Sequence, residues 1–141
     1  MISASRELVA PPRDVWAFLA EPYHLPDWWP GYSGVLPDRK GLEPGARWQV
    51  TRSRRPGLLR KPGGEGLVLI KTVDPVFELA WHDVQAKLDV RIALSGAGEG
   101  RTRATVAVSG PWWRLLTEGA RSLPKTSLAR LDALVQTGDS L

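Results

Sequence analysis

The chain of 141 residues contains no cysteine and only two histidines. The lack of cysteine excludes disulfide bonds, thiolate metal sites and cysteine nucleophiles. His24 and His82 alone make a histidine-based metal site improbable, and we expect neither a metal nor another cofactor. No apolar run approaches the ~18 residues that would cross a bilayer, so the sequence predicts no membrane span.

The first residues also lack a charged segment followed by an apolar core, which is the pattern of a secretory signal. We therefore expect a cytoplasmic protein. Hydrophobic residues make up 43% of the chain and charged residues 24%, which is the usual balance of a globular domain. Residues 1–141 are expected to form a single domain, because this length suits one hydrophobic core.

Basic residues exceed acidic ones by 19 to 15, giving a net charge of +4. Such an excess can attract an acidic partner such as nucleic acid. No predicted helix carries a basic stripe, however, so we interpret the excess as solvated surface and expect no nucleic-acid partner.

Tryptophan is unusually frequent: there are seven, against two phenylalanines. Such large and rigid side chains either fill a core or form the walls of a pocket.

Alternation of apolar and polar residues predicts seven β-strands. A short helix is expected from Pro12 to before Pro22, followed by one helical turn around residues 26–29. Short turns join the second to seventh strands, which indicates an antiparallel meander. The predicted strands cover residues 2–9, 32–36, 46–52, 67–73, 77–82, 88–94 and 103–108.

The C-terminal stretch 110–138 predicts the longest helix, with Ser109 as N-cap and Gly138 as a stop. Pro124 interrupts it, so we expect a kink there or two abutting helices. A sheet with one apolar face needs a cover, and this helix is the only element large enough. Small or apolar residues form its predicted inner face, at positions Leu116, Ala120, Leu123, Ser127, Leu131 and Leu134.

Residues 53–66 predict a long mobile loop that carries Arg54, Arg55, Arg60 and Lys61. One interpretation is a basic lid or a phosphate contact. The simpler interpretation is the solvated end of a hairpin.

Several stretches resemble a known family. They are Ala10-Pro11-Pro12-Arg13-Asp14-Val15-Trp16 with Trp28 downstream, Leu42-Glu43-Pro44-Gly45-Ala46-Arg47-Trp48, Asp74-Pro75 with Leu79 and Trp81, and Gly100-Arg101-Thr102-Arg103-Ala104. Over essentially its whole length the chain resembles the polyketide cyclase/dehydrase branch of the START-related superfamily, SRPBCC. The resemblance implies an α+β helix-grip fold, in which a curved seven-stranded antiparallel sheet surrounds a long C-terminal helix and two short helices follow the first strand.

The resemblance also implies a deep apolar cavity between the sheet and the C-terminal helix. We expect it to bind a small hydrophobic molecule, such as a lipid or a polyketide, because indole rings offer apolar area and one oriented N–H donor. The candidate ligand-binding residues are Trp28, Trp48, Leu69, Trp81, Val90, Trp112, Leu116, Ala120 and Leu123.

Two other functions remain open. A polyketide cyclase or aromatase would use the same cavity and would need inward polar groups, for which Tyr32, Arg52, Gln49 and Arg91 are candidates, although alternation puts the last two outside. A protein-interaction module would use the sheet edge or the basic loop, and either a monomer or a homodimer is compatible with the sequence.

Catalytic residues cannot be assigned from the sequence. His24 and Asp27 are spaced by one helical turn and form a conceivable acid–base pair, but a surface pair in a loop is the commoner explanation. His82 is expected at the solvent side or the end of its strand.

Overall fold

The structure, a computed structural model, describes residues 1–53, 64–117 and 119–139. Its centre is one antiparallel sheet of seven strands in the order β1-β7-β6-β5-β4-β3-β2. The second to seventh strands therefore form the predicted meander, and the first strand pairs with the last. The strands are β1 (Ile2–Leu8), β2 (Tyr32–Leu36), β3 (Arg47–Arg52), β4 (Glu65–Asp74), β5 (Glu78–Asp83), β6 (Leu88–Gly96) and β7 (Thr102–Ser109).

Helical elements cover one face of this sheet. Pro12 begins the first helix, where its missing N–H costs no hydrogen bond, and Asp14 lies in the first turn. In the part of the chain that the structure describes, the α-helices are α1 (Pro12–Leu19), α2 (Leu25–Trp28), α3 (Trp112–Thr117) and α4 (Leu123–Asp139), with 3₁₀ turns at Pro22–His24 and Ala120–Ser122. The helix-grip architecture expected from the sequence is thus confirmed.

The C-terminal helical segment consists of two successive helices, one of the two outcomes expected from Pro124, but the break between them lies before that proline. The segment is interrupted at Gly119, which has φ 65° in the left-handed region, and not in the middle at Pro124. Pro124 instead occupies the second position of α4, where no N–H partner is needed. Gly138 does not stop the helix, because α4 runs to Asp139.

The core lies between the inner face of the sheet and the helices. Alternation along each strand directs every second side chain inward, as with Val68 and Ile70 of β4 or Val106 and Val108 of β7. The helix α4 packs against β1, β7 and α2, and it buries Leu128, Leu131 and Val135 among other residues. The helix therefore covers the β1–β7 side of the sheet, and α2 faces β2 beside it.

Strand boundaries shift by at most two residues from the predicted ones. The largest extension is at β4, which runs from Glu65 to Asp74. Most of the predicted basic loop, including Arg54, Arg55, Arg60 and Lys61, lies outside the described residues.

Candidate functional site

A buried polar cluster lies on the inner face of the sheet, where β5 ends. The alternation of β5 brings Leu79, Trp81 and Asp83 to this face, and all three are buried. Tyr32, the first residue of the edge strand β2, is also buried and points toward Asp83. The cluster thus joins the start of the edge strand β2 to the end of the central strand β5.

Three hydrogen bonds hold this cluster together. The Tyr32 hydroxyl donates to Oδ2 of Asp83 at 2.7 Å, and the Trp81 indole N–H donates to the Tyr32 oxygen at 3.2 Å. The backbone N–H of Ala86 donates to Oδ1 of Asp83 at 3.0 Å. Both carboxylate oxygens thus accept a bond, which offsets the cost of removing the carboxylate from water.

Burial raises the pKa of the Tyr32 hydroxyl well above its ordinary value of 10.0, and the nearby carboxylate of Asp83 raises the pKa further. The Trp81 N–H and the positive charge of Arg52 oppose this shift of the pKa, but they are weaker. Tyr32 is therefore a protonated hydrogen-bond donor at neutral pH and not a phenolate base.

Indole rings surround the polar cluster. The centroids of Trp28 and Trp29 lie 5.8 Å and 5.3 Å from that of Trp81, and the ring planes are close to perpendicular. The centroids of Trp28 and Trp29 are themselves 6.0 Å apart. Edge-to-face contacts of this kind stabilise aromatic pairs beyond simple burial. The end of α2 and the residue that follows it thus place two indoles against Trp81 of β5.

Other predicted site residues also reach the interior. Trp48 is buried and donates its indole N–H to the Gly41 carbonyl at 2.8 Å. Val90 and Ala120 are buried, and Leu123 is partly buried against the core. These four residues and the two predicted indoles Trp28 and Trp81 therefore belong to the layer between the sheet and the helices.

Three predicted site residues lie elsewhere. Leu69 was expected in the cavity, but it alternates with the inward Val68 and Ile70 and pairs with His82, so it lies on the outer face. Trp112 is 73% exposed and Leu116 is 62% exposed, although both were expected to line the cavity. Both lie on α3, which the left-handed break at Gly119 separates from α4, so the two helices do not form one continuous inner face.

The sequence interpretation missed Asp83, although its spacing from Trp81 was a usable signal. Two residues after an inward tryptophan, a strand residue again points inward. Of the polar candidates, Tyr32 is inward and Arg52 is half-buried, while Gln49 and Arg91 are exposed as alternation predicted. Arg91 pairs with Glu78 at 2.9 Å.

The two histidines make other contacts. His24 stacks on Phe18 with a centroid distance of 4.1 Å, and its Nδ1 donates to the Phe18 carbonyl at 2.9 Å. His82 lies 3.0 Å from Asp89 through Nδ1 and is part-exposed on the outer face. Within residues 1–53, 64–117 and 119–139, no three acidic or histidine side chains gather as a metal site would require.

A groove of about 350 Å³ lies over β4 to β7, and Trp81 and Val90 are among the residues that line it. Its charged lining residues include Lys71, Asp89 and Arg91. Lys71 lies 3.6 Å from Asp89, and Arg91 is paired with Glu78, so these charges are already compensated. We regard the inner face as the better candidate site, because it combines aromatic walls with an oriented polar pair.

Solved structures share this architecture along nearly the whole chain. A protein from Nitrosomonas europaea matches with a TM-score of 0.72 and 21% identity, covering 99% of this chain and 96% of that one. A START superfamily protein from Mycobacterium smegmatis matches with a TM-score of 0.71 and 13% identity, covering 96% and 97%. Norcoclaurine synthase from Thalictrum flavum matches with a TM-score of 0.66 and 18% identity, covering 98% and 94%.

At these identities the likeness concerns the fold. The chain has the fold of these START-like structures, in agreement with the fold that the resemblance in the sequence implied. No family model matches the chain, and no curated protein matches it by sequence. Among the described helices, none is long and apolar enough to cross a membrane.

Proposed function

We propose that this protein binds a small, flat, hydrophobic molecule between the inner face of the sheet and the C-terminal helical segment. The observation that carries the proposal is the Tyr32–Asp83 pair, set among the rings of Trp28, Trp29 and Trp81. A largely apolar wall with a few oriented polar groups is the usual composition of a small-molecule site. The aromatic rings supply contact area, and the polar pair orients the ligand.

The position of α4 supports the same site. This helix packs over β1, β7 and α2, whereas Trp48 and Trp81 belong to β3 and β5, farther along the same inner face. A ligand in this region contacts indole faces on one side and the start of the last helical segment on the other. The proposed ligand-binding residues are Trp28, Trp48, Trp81, Val90, Ala120 and Leu123.

The similar structures are compatible with this proposal. The norcoclaurine synthase structure holds a transition-state analogue, which demonstrates for that protein that the fold accommodates a small organic molecule. The mechanism of binding proposed for this chain follows from its own residues. Apolar contact provides most of the affinity, and Tyr32, which keeps its proton at neutral pH, offers a fixed dipole next to the ligand.

Native mass spectrometry after gentle purification tests the proposal, together with titration by an environment-sensitive apolar dye. We expect an adduct that disappears on denaturation, and saturable dye binding. Trp81→Phe removes part of the indole wall and should weaken dye binding, whereas the exposed Trp112→Phe is the matched control and should not. A bare chain that also fails to bind the dye would refute the proposal.

A second candidate is a cyclase-type enzyme, favoured by the same buried phenol. The Tyr32 hydroxyl donates its one proton to Asp83 in this structure; in an enzyme it would turn to donate that hydrogen bond to a ketone oxygen of a bound poly-β-keto chain as that oxygen gains negative charge. Tyr32→Phe separates the two functions when a poly-β-keto thioester is the probe. An enzyme would lose turnover while still binding the probe, and a pure binder would show no turnover in either form.

A further inference from the structure

We propose that the short helix α3 docks the protein on an anionic lipid surface. The observation is an exposed apolar face on this helix. Trp112 is 73% exposed, Leu116 is 62% exposed and Trp113 is 44% exposed. With ~100° between successive helical residues, these three positions lie within about 100° of one another, so they form one continuous face. We call these three residues the α3 face.

The orientation of this face is determined by contacts on the other side of the helix. Leu115 packs against the core. Within the first turn of the helix, the Pro111 carbonyl accepts the backbone N–H groups of Arg114 and Leu115 at 2.9 and 3.1 Å. Gly110, just before the helix, lies so close to the Lys87 carbonyl that an added Cβ would be only 2.8 Å from it. The start of α3 is therefore held against the turn between β5 and β6, with the indoles directed outward.

Basic side chains accompany the α3 face. The Arg114 guanidinium lies 4.6 Å from the centre of the Trp113 ring, and one of its nitrogens reaches the Gln85 carbonyl at 3.5 Å. Lys87 is exposed in the same turn, and Arg121 and Lys125 are exposed shortly after α3. Residues 110–125 contain three basic side chains and one acidic side chain, Glu118.

Indole rings with neighbouring arginine and lysine match the chemistry of an anionic membrane surface. Tryptophan favours the headgroup region, because its ring is apolar and its N–H remains hydrated. Arginine and lysine close to the surface are attracted by anionic lipids, each by about 1 kcal/mol. The α3 face therefore combines the two contributions that bind an amphipathic surface helix.

Protein partners fit this surface less well. Three side chains of at most about 250 Å² each, all of them partly covered, fall short of the ~800 Å² per partner in a stable protein interface. A twofold contact with a second copy would also bring the α3 faces together with their own basic residues, and like charges oppose such a contact. This inference stands independently of the proposed ligand, because it uses no residue of the inner site.

Vesicle sedimentation with the full chain tests the proposal. The probes are vesicles of phosphatidylcholine alone and of phosphatidylcholine mixed with phosphatidylglycerol. We expect binding to the mixed vesicles that weakens as ionic strength rises. Trp112→Ser with Leu116→Ser should lower the vesicle affinity at least about tenfold, since the apolar contact is lost. Arg114→Gln should lower it about fivefold on mixed vesicles only.

The matched control is Phe77→Ser, which removes an equally exposed apolar side chain (60%) in the turn at the opposite end of β5. It should bind vesicles like the unaltered chain. Absence of binding to mixed vesicles, or equal binding by the Trp112/Leu116 double variant, would overturn the proposal. A concentration-dependent dimer that the double variant abolishes, measured by sedimentation without vesicles, would also overturn it and assign the α3 face to self-association.

Discussion

The phenolic oxygen of Tyr32 lies 2.7 Å from Oδ2 of Asp83, so the first residue of β2 is hydrogen-bonded to the last residue of β5. These strands are three steps apart in the sheet order. With strands ~4.8 Å apart, a flat sheet would separate them by roughly 14 Å. A tyrosine side chain closes such a span only where the sheet curves toward the helices. The hydrogen bond therefore indicates that the sheet is curved between β2 and β5, and this curvature forms the inner site.

Removing this hydroxyl should destabilise the protein. Tyr32→Phe leaves Oδ2 of Asp83 and the Trp81 N–H without the partner they have now. We expect the free energy of unfolding to fall by about 1–3 kcal/mol, the usual cost of unsatisfied buried polar groups. Urea denaturation measures this change. Tyr23→Phe is the control, because Tyr23 is 61% exposed, and an equal effect of the two substitutions would contradict the prediction.

The contribution of the Tyr32–Asp83 hydrogen bond to stability should decrease at alkaline pH. Because the pKa of Tyr32 is raised above 10.0 in the folded state, the unfolded chain loses this proton first as the pH rises. The stabilisation is complete below pH 10.0 and is lost as the pH rises toward the pKa of the folded state. In this window the free energy of unfolding of the unaltered chain should fall faster with pH than that of Tyr32→Phe. The difference between the two slopes should be up to about 1.4 kcal/mol per pH unit.

Urea denaturation across a series of alkaline pH values gives the slopes for this comparison. Tyr23→Phe should retain the slope of the unaltered chain, because Tyr32 is still present. If Tyr32→Phe and the unaltered chain had the same slope, Tyr32 would not be the group responsible.

The break between α3 and α4 depends on Gly119. Its φ of 65° is costly for any residue with a Cβ, although the space around it is open within 4 Å. We expect Gly119→Ala to lower the free energy of unfolding by about 1–2 kcal/mol through backbone strain alone. Gly96→Ala also enters open space but without a positive φ, so thermal or urea unfolding should change by less than about 0.5 kcal/mol. Similar costs at both positions would refute this explanation.

An ion pair attaches α4 to the first strand. The Nε and Nη2 atoms of Arg6 both lie 3.0 Å from Oδ2 of Asp132, and Gln136 donates to Oδ1 at 2.8 Å. Asp132 is buried, so Arg6→Ala leaves a carboxylate with one remaining side-chain donor. Since Arg6 itself is half exposed, we expect a moderate loss of about 1–2 kcal/mol in the free energy of unfolding.

Arg101→Ala is the comparison for this pair. Its partner Glu7 lies at a similar distance of 3.1 Å, but both side chains are substantially exposed. The loss there should be below about 0.5 kcal/mol, because water screens the attraction. Urea denaturation of both variants decides whether burial, and not the number of ion pairs, determines the stabilisation.

Local pattern predicted most of the sheet. The predicted strand Tyr32–Leu36 matches β2 at both ends, and the short turns placed β2 to β7 in a meander. Strand periodicity is a local property, because neighbouring side chains must point to opposite faces wherever one face is buried. Leu69 was assigned to the wrong face, because one step along β4 changes the face of the sheet on which a residue lies.

Contacts between distant residues were not predictable in this way. The inward position of Trp81 followed from alternation, but its packing with both Trp28 and Trp29 depends on where α2 crosses the sheet. Pro124 was expected to interrupt the C-terminal helix, whereas the structure places it in the first turn of α4, where proline is tolerated.

The amino-acid sequence by itself determined the strands, the order of the meander and the apolar character of its inner face, because these follow from spacing along the chain and short connections. Only the tertiary structure decided which side chains meet across the sheet. The Tyr32–Asp83 bond needs the curvature of strands β2 to β5, and Trp112 is exposed on a helix that the break at Gly119 separates from α4. Both depend on three-dimensional distances that no periodicity encodes.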